Sequence, residues 1–250
     1  MKILSIETSS NVCSVAILED RNVIKEISNE DGNTHSIKLM PQIEQIFKET
    51  NLSLRDIDLL VCDKGPGSFT GIRIGISTIK AFCDVTQIKS LGIPSLMALA
   101  YNVDFEGYIC SLIDAKNNNV YYSLFEHSKN KYTQIGNYLF DNISNITEIL
   151  KNCNKPIFFV GNGSIVYKDV LESNLYKNAI FANNETYNKL NATNVAKAAF
   201  DAFCSGEYTD EKYSLSPLYL RKSSAQIQLE EKQQNGNINK WNDAFSLITN

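Results

Sequence analysis

The chain is most informative at residues 65–75, which read GPGSFTGIRIG. Four of its 12 glycines lie in this short segment. The preceding run, IDLLVC at residues 57–62, predicts a buried strand. Residues 72–82 carry apolar side chains at near-helical spacing. A strand, a glycine-rich turn and a helix start in this order direct backbone N–H groups outward at a helix N-terminus, where Ser68 or Thr70 could cap the helix.

The segment does not match the two common phosphate-binding motifs. A Walker loop requires a second glycine five residues after its first, but Thr70 and Ile72 stand five residues after Gly65 and Gly67. The dinucleotide fingerprint requires glycine or alanine at position 70, which is threonine. The residues alone leave two interpretations open: a tight turn that lets a helix pack on a sheet, or a turn that binds an anion.

The composition is typical of a soluble globular protein. The net charge of −4 argues against a main nucleic-acid-binding surface, because phosphate contacts require clustered lysine and arginine. Six scattered cysteines without a Cys-x-x-Cys pair predict reduced, mostly buried thiols. The N-terminus lacks a signal-peptide pattern, and no apolar stretch approaches the roughly 18 residues of a membrane helix. We therefore expect a cytoplasmic protein that does not contact a membrane.

The predicted elements form two similar successions. Residues 3–28 predict three strands, followed by a helix over 35–49, the strand at 57–62 and the helix after the glycine-rich turn. A second succession starts at Gly107, and residues 191–203 predict a final helix that is able to pack back on the first half. The predicted division is a first lobe (1–103), a second lobe (104–221) and a polar tail (222–250).

Other short motifs fall in the order expected of one known family. They are KILSIETS (2–9), residues 12–18, HS (35–36), LMP (39–41), GIPSL (92–96), ALA (98–100), IDAK (113–116), VY (120–121) and PLYLR (217–221). With residues 65–75 they resemble the TsaB (YeaZ) family, a subunit of the bacterial machinery for threonylcarbamoyladenosine in tRNA. The resemblance spans about residues 2–221. It implies an α/β actin-like ATPase fold (ASKHA, ribonuclease H-like), with two related lobes that each carry a mixed five-stranded sheet.

The resemblance also implies the partners. The chain would pair with the transferase TsaD through helices of the first lobe, the ATPase TsaE would dock across both, and tRNA would be reached only through the complex. Gly71 and Gly75 lie on one helix face beside Thr78 and permit close packing, either on the sheet or on another subunit. The predicted partner-binding residues are His35, Ser36, Leu39, Met40, Ile43, Gly67, Ser68, Phe69, Thr70, Gly71, Arg73, Ile74, Gly75 and Thr78.

In active actin-like enzymes the first turn of each lobe holds ATP phosphates and Mg²⁺. The corresponding turns here, residues 7–11 and 114–117, contain no glycine, which weakens phosphate binding. Glu7 and Asp114 could hold Mg²⁺ through water, or they could simply cap strand ends. The residues of this predicted vestigial nucleotide cleft are Glu7, Thr8, Ser9, Asp114, Gly161 and Gly163.

Metal binding and cofactors are not expected. The resemblance implies that TsaD holds a metal through a His-x-x-x-His pair, but Leu39 stands four residues after His35. The other histidine, His127, is expected to be exposed at a strand end.

The predicted function is a non-catalytic subunit for threonylcarbamoyl transfer to the adenosine beside the anticodon. Two alternatives remain: an ATP-dependent phosphotransferase of the actin-like fold, and a homodimeric binding module.

Overall fold

A computed structural model of the chain describes residues 1–30, 35–153, 155–206, 210–211 and 214–221. Within these residues the chain forms two mixed five-stranded sheets. The strands of the first sheet are β1 (Lys2–Glu7), β2 (Cys13–Glu19), β3 (Asn22–Asn29), β4 (Leu59–Asp63) and β5 (Lys89–Ile93). Those of the second are β6 (Gly107–Asp114), β7 (Asn119–Ser128), β8 (Lys131–Asn142), β9 (Ile157–Val160) and β10 (Ala179–Phe181).

The two sheets share one strand order, β3-β2-β1-β4-β5 in the first and β8-β7-β6-β9-β10 in the second. In each, the first three strands pair antiparallel, and the last two join the central strand in parallel. This repetition confirms the predicted actin-like α/β class.

The helices are α1 (His35–Thr50), α2 (Phe69–Thr86), α3 (Ser95–Ala100), α4 (Ile143–Leu150), α5 (Asn162–Val166), α6 (Lys168–Leu175) and α7 (Ala192–Cys204).

Side chains alternate between the two faces of each strand, and this alternation determines which residues enter each apolar core. Leu4, Ile6 and Cys62 turn toward α1 and α2, whose buried faces complete one apolar cluster. The opposite face of the first sheet receives α7, where the backbone N–H of Ala192 donates to Ser14 Oγ at 2.8 Å. In the second sheet, α4 and α6 cover β6 and β9. Residues 1–218 form one compact unit, and the lobe boundary at residues 103 and 104 remains a prediction.

The segment near the end of this unit protects the edge of the first sheet. The Glu211 backbone N–H donates to the Ser90 carbonyl at 2.9 Å, and the Glu211 carboxylate accepts from the Gly92 N–H at 2.8 Å. The backbone N–H of Leu218 donates to the Lys64 carbonyl at 2.7 Å. The two bonds from Glu211 occupy groups on β5 that would otherwise be free to pair with another strand. The predicted polar tail, residues 222–250, lies outside the described residues.

One local prediction is wrong. His127 is buried, not exposed, because its ring stacks on Tyr132 at a centroid distance of 4.0 Å and its Nδ1 lies 3.1 Å from the Phe105 carbonyl. Helix α1 starts at His35 and includes Pro41, whose missing N–H leaves the Ile37 carbonyl without an intrahelical bond. Four of the cysteines are buried, and no helix among the described residues is long and apolar enough to cross a membrane.

Candidate functional site

The glycine-rich segment packs directly on the turn that follows β1. The Ser68 backbone N–H donates to the Ser9 carbonyl at 2.7 Å, and Thr8 Oγ1 donates to the Gly71 carbonyl at 2.8 Å. Ser68 is the N-cap of α2, since its hydroxyl accepts from the Gly71 N–H at 3.2 Å. Two N–H groups that an anion would need are therefore already bonded within the chain.

The glycines are required by this close approach. A Cβ on Gly67 would collide with the Ser9 carbonyl oxygen, and one on Gly71 with the Thr8 carbonyl oxygen. A Cβ on Gly75 would lie 2.7 Å from Thr8 Oγ1. The close packing predicted for Gly71 and Gly75 thus occurs inside the chain, and both residues are buried. Of the two open interpretations, the tight turn describes what the segment does here.

Beside this turn lies a buried pair of carboxyl groups. Ile6 pairs with Cys62 in the parallel β1–β4 ladder, so the next residues, Glu7 and Asp63, are neighbours. Glu7 accepts from the Ser9 N–H at 2.7 Å, from Ser9 Oγ at 2.8 Å and from two Ser10 donors at 3.1 Å. Its lone pairs are thus largely occupied by its own turn. A metal ion would have to displace these donors.

Asp63 joins the turn to the start of α3. Its Oδ1 accepts from Ser95 Oγ and from the Gly65 N–H, both at 2.6 Å, and Ser95 Oγ lies 3.3 Å from Ser9 Oγ. Its Oδ2 is buried and has no hydrogen-bond partner among the described residues. Glu7, Ser9, Ser95 and Asp63 therefore form one buried polar chain, which we call the carboxyl cluster.

Burial governs the ionisation of the carboxyl cluster. Burial, followed by the nearby charge of Asp63, raises the pKa of Glu7 well above its usual range, and burial also raises the pKa of Asp63. Ser9 Oγ donates to Glu7 Oε1 and Ser95 Oγ donates to Asp63 Oδ1, so each hydroxyl serves its own carboxyl group. Two buried carboxylates this close together repel each other, which favours a proton on one of them. The cluster is thus best described as holding a single negative charge at neutral pH.

The second turn of the predicted cleft is also internally bonded. Asp114 accepts from the Lys116 N–H at 2.9 Å, from Lys116 Nζ at 2.8 Å and from the Tyr167 hydroxyl at 3.0 Å. Burial opposes ionisation, but these bonds outweigh it, and the pKa of Asp114 lies below its usual value. Gly161 and Gly163 both face Leu112 of β6, where Gly161 has a φ of +100°. They allow a loop to pack on the sheet.

The structure brings together Glu7, Thr8 and Ser9 with residues 65–75, and separately Asp114 with Lys116 and Tyr167. The first set follows strands of the first sheet, and the second follows β6 of the second sheet. The same residues include no group of three or more His, Cys, Asp or Glu placed to hold a metal ion. Sequence reasoning missed Asp63, Ser10 and Ser95. The signal available was an acid at the end of each of two neighbouring parallel strands.

Helices α1 and α2 place the predicted partner-binding residues at three depths. Ser36, Met40, Ser68, Thr70 and Arg73 are exposed; His35, Gly67, Phe69, Ile74 and Thr78 are partly buried; Leu39, Ile43, Gly71 and Gly75 are buried. Ile37, which sequence reasoning missed, exposes 68% of its surface, and Met40 exposes 51%. His35 Nε2 donates to the Ser10 carbonyl at 2.8 Å and so ties α1 to the β1 turn.

Known proteins match this architecture along most of the chain. A family model described as "TsaD: tRNA N6-adenosine threonylcarbamoyltransferase" matches residues 22–229. The tRNA threonylcarbamoyladenosine biosynthesis protein TsaB of Bacillus subtilis (strain 168) is 30% identical over 69% of this chain and 76% of its own length. TsaB of Haemophilus influenzae is 25% identical over 88% of this chain and 94% of its own.

The fold matches as well. A crystal structure of a Pseudomonas aeruginosa protein with similarity to peptidase YeaZ superposes with a TM-score of 0.75 at 22% identity. The match covers 88% of this chain and 99% of that one. The range matched by the family model contains the glycine-rich segment and β4, the strand that precedes it. The chain therefore belongs to the TsaB (YeaZ) family of tRNA threonylcarbamoyladenosine biosynthesis proteins.

Proposed function

We propose that this chain is a cytoplasmic, non-catalytic subunit that pairs with TsaD for threonylcarbamoyl transfer to the adenosine beside the anticodon of tRNA. TsaE docks on the pair. The observation that carries the proposal is a contrast between the predicted nucleotide-binding turns and helices α1 and α2. The turns that would hold a nucleotide are bonded internally, whereas the adjoining helices α1 and α2 leave large apolar side chains uncovered.

The internal bonding supports a role without catalysis. Glu7 accepts at least three hydrogen bonds from its own turn, and Asp114 accepts two from its own turn and one from Tyr167. These bonds leave little capacity for Mg²⁺. A serine nucleophile would need a histidine beside it. Among the described residues, His35 bonds a backbone carbonyl, His127 does the same, and neither contacts a serine hydroxyl. Peptidase chemistry therefore finds no support in this arrangement.

The exposed helix face supports pairing with another protein. Ile37 and Met40 lie three residues apart on α1 and so share one side of the helix. Neighbouring α2 adds the partly buried side chains of Phe69 and Ile74. Aliphatic and aromatic side chains in one patch are typical of the centre of a protein interface. The buried glycines beneath this face hold α2 against the β1 turn and so make its surface rigid.

The test is the affinity for TsaD measured by isothermal titration calorimetry. Met40→Asp places a charge within the proposed interface and is expected to weaken binding at least tenfold, or about 1.4 kcal/mol. Ile149→Asp is the matched control, because Ile149 exposes 59% of its surface on α4, outside the proposed face. Equal affinities for the two variants would show that α1 does not bind TsaD.

Reconstitution of tRNA modification tests the functional role. TsaD and TsaE are expected to require this chain, and the isolated chain is expected neither to hydrolyse ATP nor to modify tRNA. ATP turnover by the isolated chain that disappears in Asp114→Ala would support the phosphotransferase instead. Analytical ultracentrifugation without TsaD tests the remaining alternative. A homodimer that Met40→Asp dissociates, combined with no TsaD binding, would identify a homodimeric module.

A further inference from the structure

A cavity of about 570 Å³ opens at the edge of the second sheet, away from the residues discussed so far. It is lined by Leu150 and Lys151, at the end of α4, and by residues 174–178, which run from the last turn of α6 into the segment before β10. The two leucine side chains in this lining are buried and form its apolar floor. Polar side chains supply the rest: two lysines, two asparagines and a tyrosine, but no carboxylate.

The lysines give this cavity a positive charge. Lys151 pairs with Glu148, a side chain that is 69% exposed, so solvent weakens the pair. The Lys177 side chain has no hydrogen bond or ion pair to any described residue. Asn178 Nδ2 donates to the Cys153 carbonyl at 3.3 Å, which holds residues 151–153 beside residues 174–178. These two segments, which we call the lysine–tyrosine edge, contain no acidic residue.

The tyrosine of this edge is unusual. Tyr176 exposes 80% of its surface, and its ring makes no contact with another described ring. Its backbone has a φ of +49° and a ψ of −127°, a conformation that costs a bulky side chain about 1–3 kcal/mol. Lysines after helix ends are commonly explained as partners of the helix dipole. That explanation accounts for Lys151 and Lys177, but it does not account for a strained and exposed aromatic ring between them.

We propose that the lysine–tyrosine edge contacts RNA, with an unpaired base stacked on Tyr176 and neighbouring phosphates bound by Lys177 and Lys151. Proteins bind single-stranded nucleic acid by this combination of an exposed aromatic ring and flexible cations. An acidic peptide would satisfy the lysines, but it would give the exposed ring no stacking partner. The choice of RNA rests on the proposed function, in which tRNA is the substrate. The edge adds a contact made by this chain within the complex.

The test is fluorescence anisotropy of a fluorescein-labelled RNA stem-loop titrated with the full-length chain at several salt concentrations. Lys177→Gln is expected to weaken binding and to reduce the slope of log K against log salt concentration by about 0.7, the value of one phosphate contact. Tyr176→Leu is expected to weaken binding about fivefold or more, whereas Tyr176→Phe retains it. Lys89→Gln removes the same charge from the exposed start of β5 and is expected to change neither quantity.

Three results would overturn the proposal: no RNA binding at low salt, equal effects of Lys177→Gln and Lys89→Gln, or full affinity in Tyr176→Leu. Displacement of the RNA by polyglutamate as readily as by unlabelled RNA would assign the edge to an acidic protein partner instead. The pairing surface is tested separately in the same samples. Met40→Asp is expected to lose TsaD and keep RNA, and Lys177→Gln to keep TsaD, so failure of either proposal is visible without the other.

Discussion

Replacement of Glu7 by glutamine is expected to make the protein more stable at neutral pH and to flatten its response to pH. Burial and the charge of Asp63 raise the pKa of Glu7 above the ordinary value of 4.5. The folded chain then binds a proton that the unfolded chain has lost. The free energy of unfolding must therefore fall as pH rises from about 4.5 through the raised pKa. One such proton gives a slope of at most about 1.4 kcal/mol per pH unit.

Glutamine fits the site because it resembles the protonated acid. Its Oε1 can accept from the Ser9 N–H, Ser9 Oγ and the Ser10 N–H, and its Nε2 can donate to Ser10 Oγ. Between pH 5 and pH 7 the wild type is expected to lose up to about 3 kcal/mol that Glu7→Gln does not lose. Urea denaturation followed by circular dichroism at several pH values measures this difference.

Glu19→Gln is the control, because Glu19 ends the neighbouring strand with a side chain that is 55% exposed and pairs with Lys2 at 3.2 Å. Its difference from the wild type is expected to stay below about 1 kcal/mol and to vary little with pH. The reasoning would be refuted if the advantage of Glu7→Gln over the wild type did not grow between pH 5 and pH 7. A variant that is several kcal/mol less stable at neutral pH would show that Glu7 is needed as a charged group.

Two further predictions concern the packing of the first half. Gly71→Ala is expected to lower the free energy of unfolding by more than about 3 kcal/mol, because the new Cβ collides with the Thr8 carbonyl. This cost exceeds the better helix propensity of alanine, and an unchanged urea midpoint would contradict it. Glu211→Ala is expected to lower the free energy of unfolding by about 1–3 kcal/mol, because it leaves the Gly92 N–H and the Lys64 ammonium without their acceptor. Thermal unfolding measures this loss, and Glu211→Gln, which keeps an acceptor, should lose less stability.

Local patterns were enough to predict the main elements and their repetition, and the family resemblance added the fold class. The strand before Gly65 and the helix after it are predicted from apolar spacing and from the conformations that glycine permits. Both properties depend only on residues close together in the chain. The turns at residues 7–11 and 114–117 lack glycine, and the structure shows their acids bonded to their own turns. Family resemblance extended these local signals to the partner surface, which remains a proposal.

Contacts between distant residues were not accessible in this way. Glu7 meets Asp63 only because β1 and β4 pair in one parallel register. A shift of β1 by one residue against β4 would place the two acids on opposite faces of the sheet. Thr8 occupies the space beside Gly71 and Gly75 because β1 and β4 are neighbours in the sheet. The spacing of the two glycines alone was equally compatible with packing on another subunit. His127 is buried because β8 brings Tyr132 against its ring.

The lysine–tyrosine edge was also not accessible from the sequence, because only the tertiary structure assembles it. The chain has a net charge of −4 and no run of basic residues, so its composition argues against contact with nucleic acid. Pairing of β9 with β10 nevertheless sets the loop before each strand side by side and gathers lysines that lie more than twenty residues apart. Apolar spacing along a chain is a local property, whereas the charge of a surface depends on which strands pair and in what register.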